Sequence, residues 1–280
     1  GHAVKLAICS RTDRPQAIAA AADAAKRLRA KVEDVAEVTL DAPTLARDVA
    51  GAQVVCVFGG DGTMLRAARR IAPLGIPLLG VNLGRLGFLT GTSVDEFDGT
   101  MAEVLAGRYT CEDRTVAQAT VTRAGATVYE GTALNDVVVA RGAQVRAIHV
   151  DVRIDGEPFT VYWADGIVVA TATGSTAYAM SVGGPLMLPT AADMLIVPVA
   201  PHLSFGNAVV LAPDQRVSLD VLDEPARISV DGQEEEDLRA GDRIEVRRSD
   251  VPARFVRTST MRPFLQLLRQ KILKEGDLAE

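Results

Sequence analysis

Cysteine is scarce: Cys9, Cys56 and Cys111 are the three in 280 residues, and they lie far apart. That spacing offers no metal-ligand set and no disulfide framework, so the thiols are expected to be reduced. An apolar run near the roughly 20 residues that a membrane span needs is also missing. No secretory leader pattern opens the chain. Positive charge is not in excess: 36 acidic residues against 30 basic ones give a net charge of -6. Broad nucleic-acid binding runs on clustered Lys and Arg, so it is disfavoured. Internal repeats and low-complexity segments are absent. These absences leave the expectation of a cytoplasmic protein with no membrane or nucleic-acid partner and no metal held by its own side chains. What is present is the 48% hydrophobic and 24% charged composition of a globular protein, long enough for two domains with cores of their own.

The chain is organised around Val54-Val55-Cys56-Val57-Phe58-Gly59-Gly60-Asp61-Gly62-Thr63. Five apolar residues in succession read as a strand buried on both faces. Helix-forming residues follow from Met64 to Ile71. A carboxylate therefore sits in a glycine turn at the carboxyl end of a strand, where open α/β sheets place their ligands. Glycines let backbone amides approach a phosphate, and the next helix points its positive end there. An aspartate repels phosphate, so Asp61 makes sense beside a hydroxyl that must lose its proton, or beside a metal. The plainer alternative is a tight turn with Asp61 capping the helix.

The first third alternates strand and helix. Val4 to Cys9, Glu37 to Leu40, Val54 to Phe58 and Ile76 to Val81 read as strands. Gln16 to Arg29 is alanine-rich and reads as a helix, with Pro15 in its first turn. This is the rhythm of a doubly wound parallel sheet. Asn82 to Leu89 is a second glycine-punctuated loop at a strand's carboxyl end, expected to face the Asp61 turn. Val94 to Ala106 reads as a helix closed by Gly107. Near Tyr109 to Arg114 the rhythm changes to alternating strands with hairpin turns at Arg141-Gly142, Asp155-Gly156 and Asp231-Gly232. Phe264 to Lys274 returns to helical spacing.

Four further stretches bear polar groups that suit a ligand. Asn135-Asp136 precedes a buried-looking strand; Asn135 suits a purine edge or a ribose hydroxyl, Asp136 a ribose diol, and an ordinary turn is the alternative. Thr171 to Tyr178 crowds small and hydroxyl residues around Gly174. Thr173, Ser175 and Thr176 can donate without adding charge, and Tyr178 can stack. Pro201-His202 is a rigid loop, and Glu234 to Asp237 reads as a solvated acidic edge.

Together these stretches resemble the NAD kinase family. The match runs through Gly59-Gly60-Asp61-Gly62-Thr63, Gly80 to Leu89, Asn135-Asp136, Asp165-Gly166, Thr173-Gly174-Ser175-Thr176-Ala177-Tyr178, Gly183-Gly184-Pro185, Pro201-His202 and Asp231-Gly232-Gln233, in the family's order. The resemblance implies an α/β N-terminal domain with a Rossmann-like parallel sheet (residues 1–113 and 255–280) and an all-β C-terminal domain (114–254). The last helix would return to the first domain. It implies transfer of the γ-phosphoryl of ATP, or of polyphosphate, to the 2′-hydroxyl of the adenosine ribose of NAD, giving NADP. Mg²⁺ would arrive with ATP, with no tightly bound cofactor, and a homodimer or homotetramer would be the working form.

By matching positions, Asp61 resembles the family's catalytic aspartate. Asn135 and Asp136 would hold the adenine and ribose side of NAD, and Asp165 would reach the nicotinamide end. Thr173, Thr176, Ala177 and Tyr178 would line the cleft, with Gly60, Gly62, Asn82, Phe88 and Gln233 beside the dinucleotide. Gly59, Gly60, Gly62, Thr63 and Arg66 would face the donor phosphates. Three positions depart from the pattern. Asp136 stands where the family usually has Glu, Ala172 where it has Pro, and Leu203 to Ala208 lacks an arginine often found there. A lipid kinase shares the glycine-aspartate turn, and an NAD-binding sensor that has lost catalysis shares the pocket; both are alternatives.

Overall fold

The computed structural model describes residues 4–144 and 146–276. The chain divides into two compact units. One runs to Asp113 and resumes at Ala253; the other is Arg114–Pro252.

The first unit is an α/β layer around a seven-stranded sheet. Its strands lie in the order Asp34–Thr39, Lys5–Ser10, Val54–Phe58, Leu78–Asn82, Ala253–Arg257 and Thr110–Arg114, and the short Thr92–Ser93 also pairs with Leu78–Asn82. The pairings from Asp34–Thr39 across to Ala253–Arg257 are parallel. Val54–Phe58 is buried at every position, as its unbroken apolar run requires. Helix Pro15–Arg29 covers the sheet with a stripe of Ala17, Ala21, Ala24, Ala25 and Leu28, spaced for one helical face. Helix Asp61–Ile71 buries Met64, Leu65, Ala67, Ala68 and Ile71. It passes into a 3₁₀ turn at Ala72–Leu74, and Gly75 stops it at a φ of 71°. Helix Phe264–Gly276 belongs to this unit; the Phe264 ring lies 5.6 Å from the Phe88 ring, and Lys271 Nζ stands 4.3 Å from the Phe88 centroid.

The second unit is all-β: two six-stranded sheets. One is ordered Glu157–Ala164, Ile148–Ile154, Val217–Val221, Arg243–Arg248, Ala117–Arg123 and Ala126–Ala133. The other is ordered Val209–Leu211, Met194–Val199, Gly166–Thr171, Asp136–Arg141, Ala226–Val230 and Glu234–Leu238. Val137, Val139, Ile167, Val169 and Ile196 share a core with Val150, Val152, Leu219 and Val246 of the first sheet. The intervening residues Val138, Val168, Ala170, Leu195 and Val197 pack on the opposite face, against Ala179. Alternate side chains thus go to two cores, which is why Gly166–Thr171 is buried throughout although its neighbours are antiparallel. The Asp155-Gly156 and Asp231-Gly232 turns carry positive φ at both residues, 51° and 82° in one and 53° and 64° in the other. At Asp155-Gly156 that backbone is the tight hairpin form that suits a right-twisted ribbon.

Candidate active site

The strand order of the first unit makes a switch point. From Lys5–Ser10 the chain goes to one side to form Asp34–Thr39, then crosses to the other to form Val54–Phe58. Connections leave these two parallel neighbours in opposite directions and open a crevice at their carboxyl ends, where Ser10 pairs with Phe58. A cavity of about 690 Å³ lies there, lined by Arg11, Asp13, Arg14 and Pro15 from one loop, Gly59, Gly60, Gly62 and Thr63 from the other, and Leu83. Helices Pro15–Arg29 and Asp61–Ile71 both begin at this cavity, and neither has a side-chain cap. Their positive ends and the glycine backbone suit an anion. Arg11 holds Asp13 through two bonds of 2.9 and 2.6 Å, and Arg14 stands on the same wall.

Arg11 and Arg14 were not legible as site residues. In the sequence they belong to a polar loop some fifty residues before the glycine turn, and only the pairing of the first and third strands brings them to it. Arg66 is placed elsewhere: it pairs with Asp41 at 2.8 Å and does not line the cavity.

Asp61 is the first residue of its helix, and Gly60 occupies the cap position. Its carboxylate does not cap the helix. Instead Oδ2 accepts the backbone N–H of Phe88 at 2.9 Å and Oδ1 that of Leu89 at 3.0 Å. The Asn82–Leu89 loop thus meets the Asp61 turn. A Cβ at Gly87 would lie 2.0 Å from Asp61 Oδ1, so only glycine lets the loop come this close. Each carboxylate oxygen gives one lone pair to an amide and keeps another. Phe88 serves through its backbone, while its ring packs on Phe264. Asn82 is buried; its amide nitrogen donates to Thr92 O at 2.9 Å, and its Oδ1 has no partner among the described residues.

In the second unit a turn at Leu134-Asn135 precedes the strand Asp136–Arg141. It is held from two sides. The Thr171 N–H donates to Asn135 O at 2.9 Å, and the Thr171 hydroxyl donates to Leu134 O. From the other side the Asp231 carboxylate accepts the N–H groups of Leu134, Asn135 and Asp136 at 3.0, 2.8 and 3.2 Å. Gly174 lies against the turn so closely that a Cβ there would be 1.9 Å from Asn135 O. Asp136 is only 5% exposed. Burial, then the Asp231 charge, push its carboxyl up from 3.8 to about 7.

The hydroxyl loop divides its labour. Ser175 is structural: its hydroxyl donates to Ala172 O at 2.7 Å and accepts the Met187 N–H at 2.9 Å. Thr176 donates to Thr173 O at 3.2 Å. The Thr173 hydroxyl is buried without a partner among the described residues, a costly state for a native group. Ala177 links the 3₁₀ turn Thr173–Thr176 to the short helix Tyr178–Ser181, and the Tyr178 ring is exposed. Gln233 follows the Asp231 turn, its N–H on Val230 O at 3.0 Å. Asp165 is not gathered with these groups. It precedes Gly166–Thr171, whereas Asp136 pairs with Ala170 near that strand's other end. Five residues of strand separate them, about 17 Å. Arg141 stands 3.4 Å from the Asp165 carboxylate. His202 packs on Trp163 with ring centroids 5.1 Å apart.

No helix among the described residues is long and apolar enough to cross a membrane. Two family models match the chain, the ATP-NAD kinase N-terminal domain over residues 7–109 and the ATP-NAD kinase C-terminal domain over residues 134–258. The NAD kinase of Symbiobacterium thermophilum is 37% identical over 279 residues, covering 96% of this chain and 98% of that one. Among solved structures, an NAD kinase from Archaeoglobus fulgidus in complex with ATP has a TM-score of 0.71 at 26% identity, over 91% of this chain and 94% of the other. Yeast NADH kinase complexed with NADH shares the fold, with a TM-score of 0.81 at 24% identity over 92% of this chain and 84% of that one. With both domain models matched and a relative alike from end to end, this chain belongs to the NAD kinase family.

Proposed function

We propose that this chain transfers the γ-phosphoryl of ATP to the 2′-hydroxyl of the adenosine ribose of NAD, with Asp61 as the proton acceptor. The observation that carries this reading is the Asp61 carboxylate, fixed by the Phe88 and Leu89 amides; the chain neighbours of Asp61, Gly60 and Gly62, line the cavity together with Arg11, Asp13 and Arg14. A ribose hydroxyl is a poor nucleophile at neutral pH. A carboxylate with a free lone pair, already aimed by two amides, can take its proton as the phosphoryl group arrives, typically worth ~10²–10⁴-fold. The transfer otherwise needs alignment and neutralised charge. The donor phosphates, with the Mg²⁺ they bring, are assigned to the cavity, where Arg14 and two helix ends supply positive potential and Arg11 is shared with the Asp13 carboxylate. Arg14 takes the part that a lysine plays in Gly-x4-Gly-Lys-[Ser/Thr] loops. Asn135 and Asp136 are assigned to the adenosine side of NAD and Asp165 to the nicotinamide side, their separation suiting two ends of one dinucleotide. The unpartnered Thr173 hydroxyl is assigned to the same ligand. A homo-oligomer is the proposed working form, supported by the exposed Val161, Trp163 and Leu203 of the second unit.

A coupled assay with NAD, ATP and Mg²⁺, scored for NADP, tests the reaction, and parallel runs with polyphosphate and NADH define donor and acceptor. Asp61→Asn is expected to keep NAD binding and lose about 10²-fold or more of turnover. Near-native turnover in that variant would remove Asp61 from the mechanism. NAD binding by the unaltered chain without NADP formation would mark a sensor instead.

A further inference from the structure

Asp231 lies about a hundred residues from Asn135 in the chain, yet its carboxylate is the acceptor for three consecutive backbone N–H groups, those of Leu134, Asn135 and Asp136. It is buried, and it stands on left-handed backbone at a φ of 53°, the first residue of the turn Asp231-Gly232-Gln233 between the paired Val230 and Glu234. A turn alone does not need this carboxylate. Asp231 also donates its own N–H to Asp136 O at 2.9 Å, so the two segments are tied in both directions. With the Leu134 and Asn135 carbonyls held by Thr171, this turn has its peptide groups fixed from outside on each side. The direction in which the Asn135 and Asp136 side chains leave the backbone is set by those bonds.

We propose that Asp231 is the positioning residue of the dinucleotide grip: by clamping three amides it aims Asn135 and Asp136. This rests on the reading that Asn135 and Asp136 hold the adenosine side of NAD. The Asp231 charge adds to the larger effect of burial on the Asp136 carboxyl. The residues beside Asp136 on the adjoining strands are uncharged. Ala170 faces it on the adjoining strand, and Val230, opposite Val137, ends the strand on the other side. Asp231 is the charged group that faces it. An ionised Asp136 accepts from both hydroxyls of a ribose diol, whereas the protonated acid loses acceptor capacity. NAD affinity is therefore expected to fall as pH drops through the Asp136 midpoint near 7.

Asp231→Asn separates these effects from folding. Asn tolerates left-handed backbone, so it fits the φ of 53° at this position. The substitution turns one acceptor oxygen into a donor, so at least one of the three amides loses its bond, and the charge beside Asp136 goes. The expected result in the full chain is a KM for NAD raised about tenfold, with kcat within about twofold. The pH midpoint of that KM should move down, toward the ordinary carboxylate range. A folded variant with the wild-type KM for NAD and the wild-type midpoint overturns the proposal.

Two measurements without substrate stand apart from the reading of the site. The Asp136 carboxyl, followed by carbon NMR, should titrate at lower pH in Asp231→Asn than in the wild type; an unmoved midpoint refutes the charge effect. In the wild type the Leu134, Asn135 and Asp136 amides should be protected from hydrogen exchange, and exchange at solvent rates refutes the clamp even if the variant does not fold. Asp136→Asn is the control for the reading: an unchanged KM for NAD would remove Asp136 from the ribose and leave the two substrate-free results to judge Asp231.

Discussion

At Asp136 burial and a like charge act in the same direction. Burial is the larger effect and the Asp231 carboxylate the second, and together they bring the group to about 7 from 3.8. The folded carboxyl thus holds a proton between about pH 4 and 7 that the unfolded chain has already lost. Stability from this group is present below the unfolded value, falls as pH rises through that window, and is lowest above about 7. Asp136→Asn removes the ionisation. It is expected to stabilise the protein at pH 8 by on the order of 2–4 kcal/mol and to be near neutral at pH 4. Thermal melts at the two pH values check this, and an equal effect at both would show that Asp136 does not titrate in the window. The presence of Asn135 and Asp136 as candidates was legible in the chain; the cost of placing Asp136 was not, because it comes first from burial in the folded sheet and second from a residue far along the sequence.

At the scale of elements, two strand-to-helix turns make the cavity. The glycine turn at Gly59-Gly60-Asp61-Gly62-Thr63 announces itself through its composition. The Ser10 to Pro15 loop does not, since an arginine in a polar loop is the most ordinary of surface features. Its standing changes once Lys5–Ser10 and Val54–Phe58 pair in parallel and their helices depart together. Arg14, the residue before helix Pro15–Arg29, is placed on the cavity wall by that geometry. Arg14→Ala is expected to raise the KM for ATP about tenfold, the loss of one charge-assisted phosphate contact, and to leave the KM for NAD unchanged. Steady-state kinetics with each substrate varied in turn decides it; equal effects on both substrates would take Arg14 off the donor side. The Asn82–Leu89 loop was expected to face Asp61 and does so, but through backbone amides rather than side chains.

For the whole molecule, the two units differ in how the chain builds them. Arg114–Pro252 is continuous, and its two sheets share one core. The other unit needs both ends of the chain, because Ala253–Arg257 lies between Leu78–Asn82 and Thr110–Arg114 in the sheet. A polypeptide of residues 114–252 is therefore expected to fold alone, with β-type circular dichroism and a cooperative melt. One of residues 1–113 lacks an interior strand and is expected not to. A cooperative melt of the shorter N-terminal piece, or none of the 114–252 piece, would contradict this account of where each core is completed.

Local chemistry, readable residue by residue, was enough for the α/β and all-β halves, the glycine turn with its aspartate, the turns at Asp155-Gly156 and Asp231-Gly232, and the family. Each of these depends on periodicity, turn preference or a short motif, and such signals act over a few neighbours. Arg141-Gly142, expected as a hairpin turn, instead leads from one sheet to the other. What tertiary structure decided was who stands beside whom. Arg11 and Arg14 join the glycine turn, and Arg66 leaves it for Asp41. Asp61 takes its bearings from Phe88 and Leu89, and Asp231 from another hairpin clamps the turn before Asp136. Those contacts follow from strand order and register, which arise from the packing of the whole core and leave no mark on the residues they bring together.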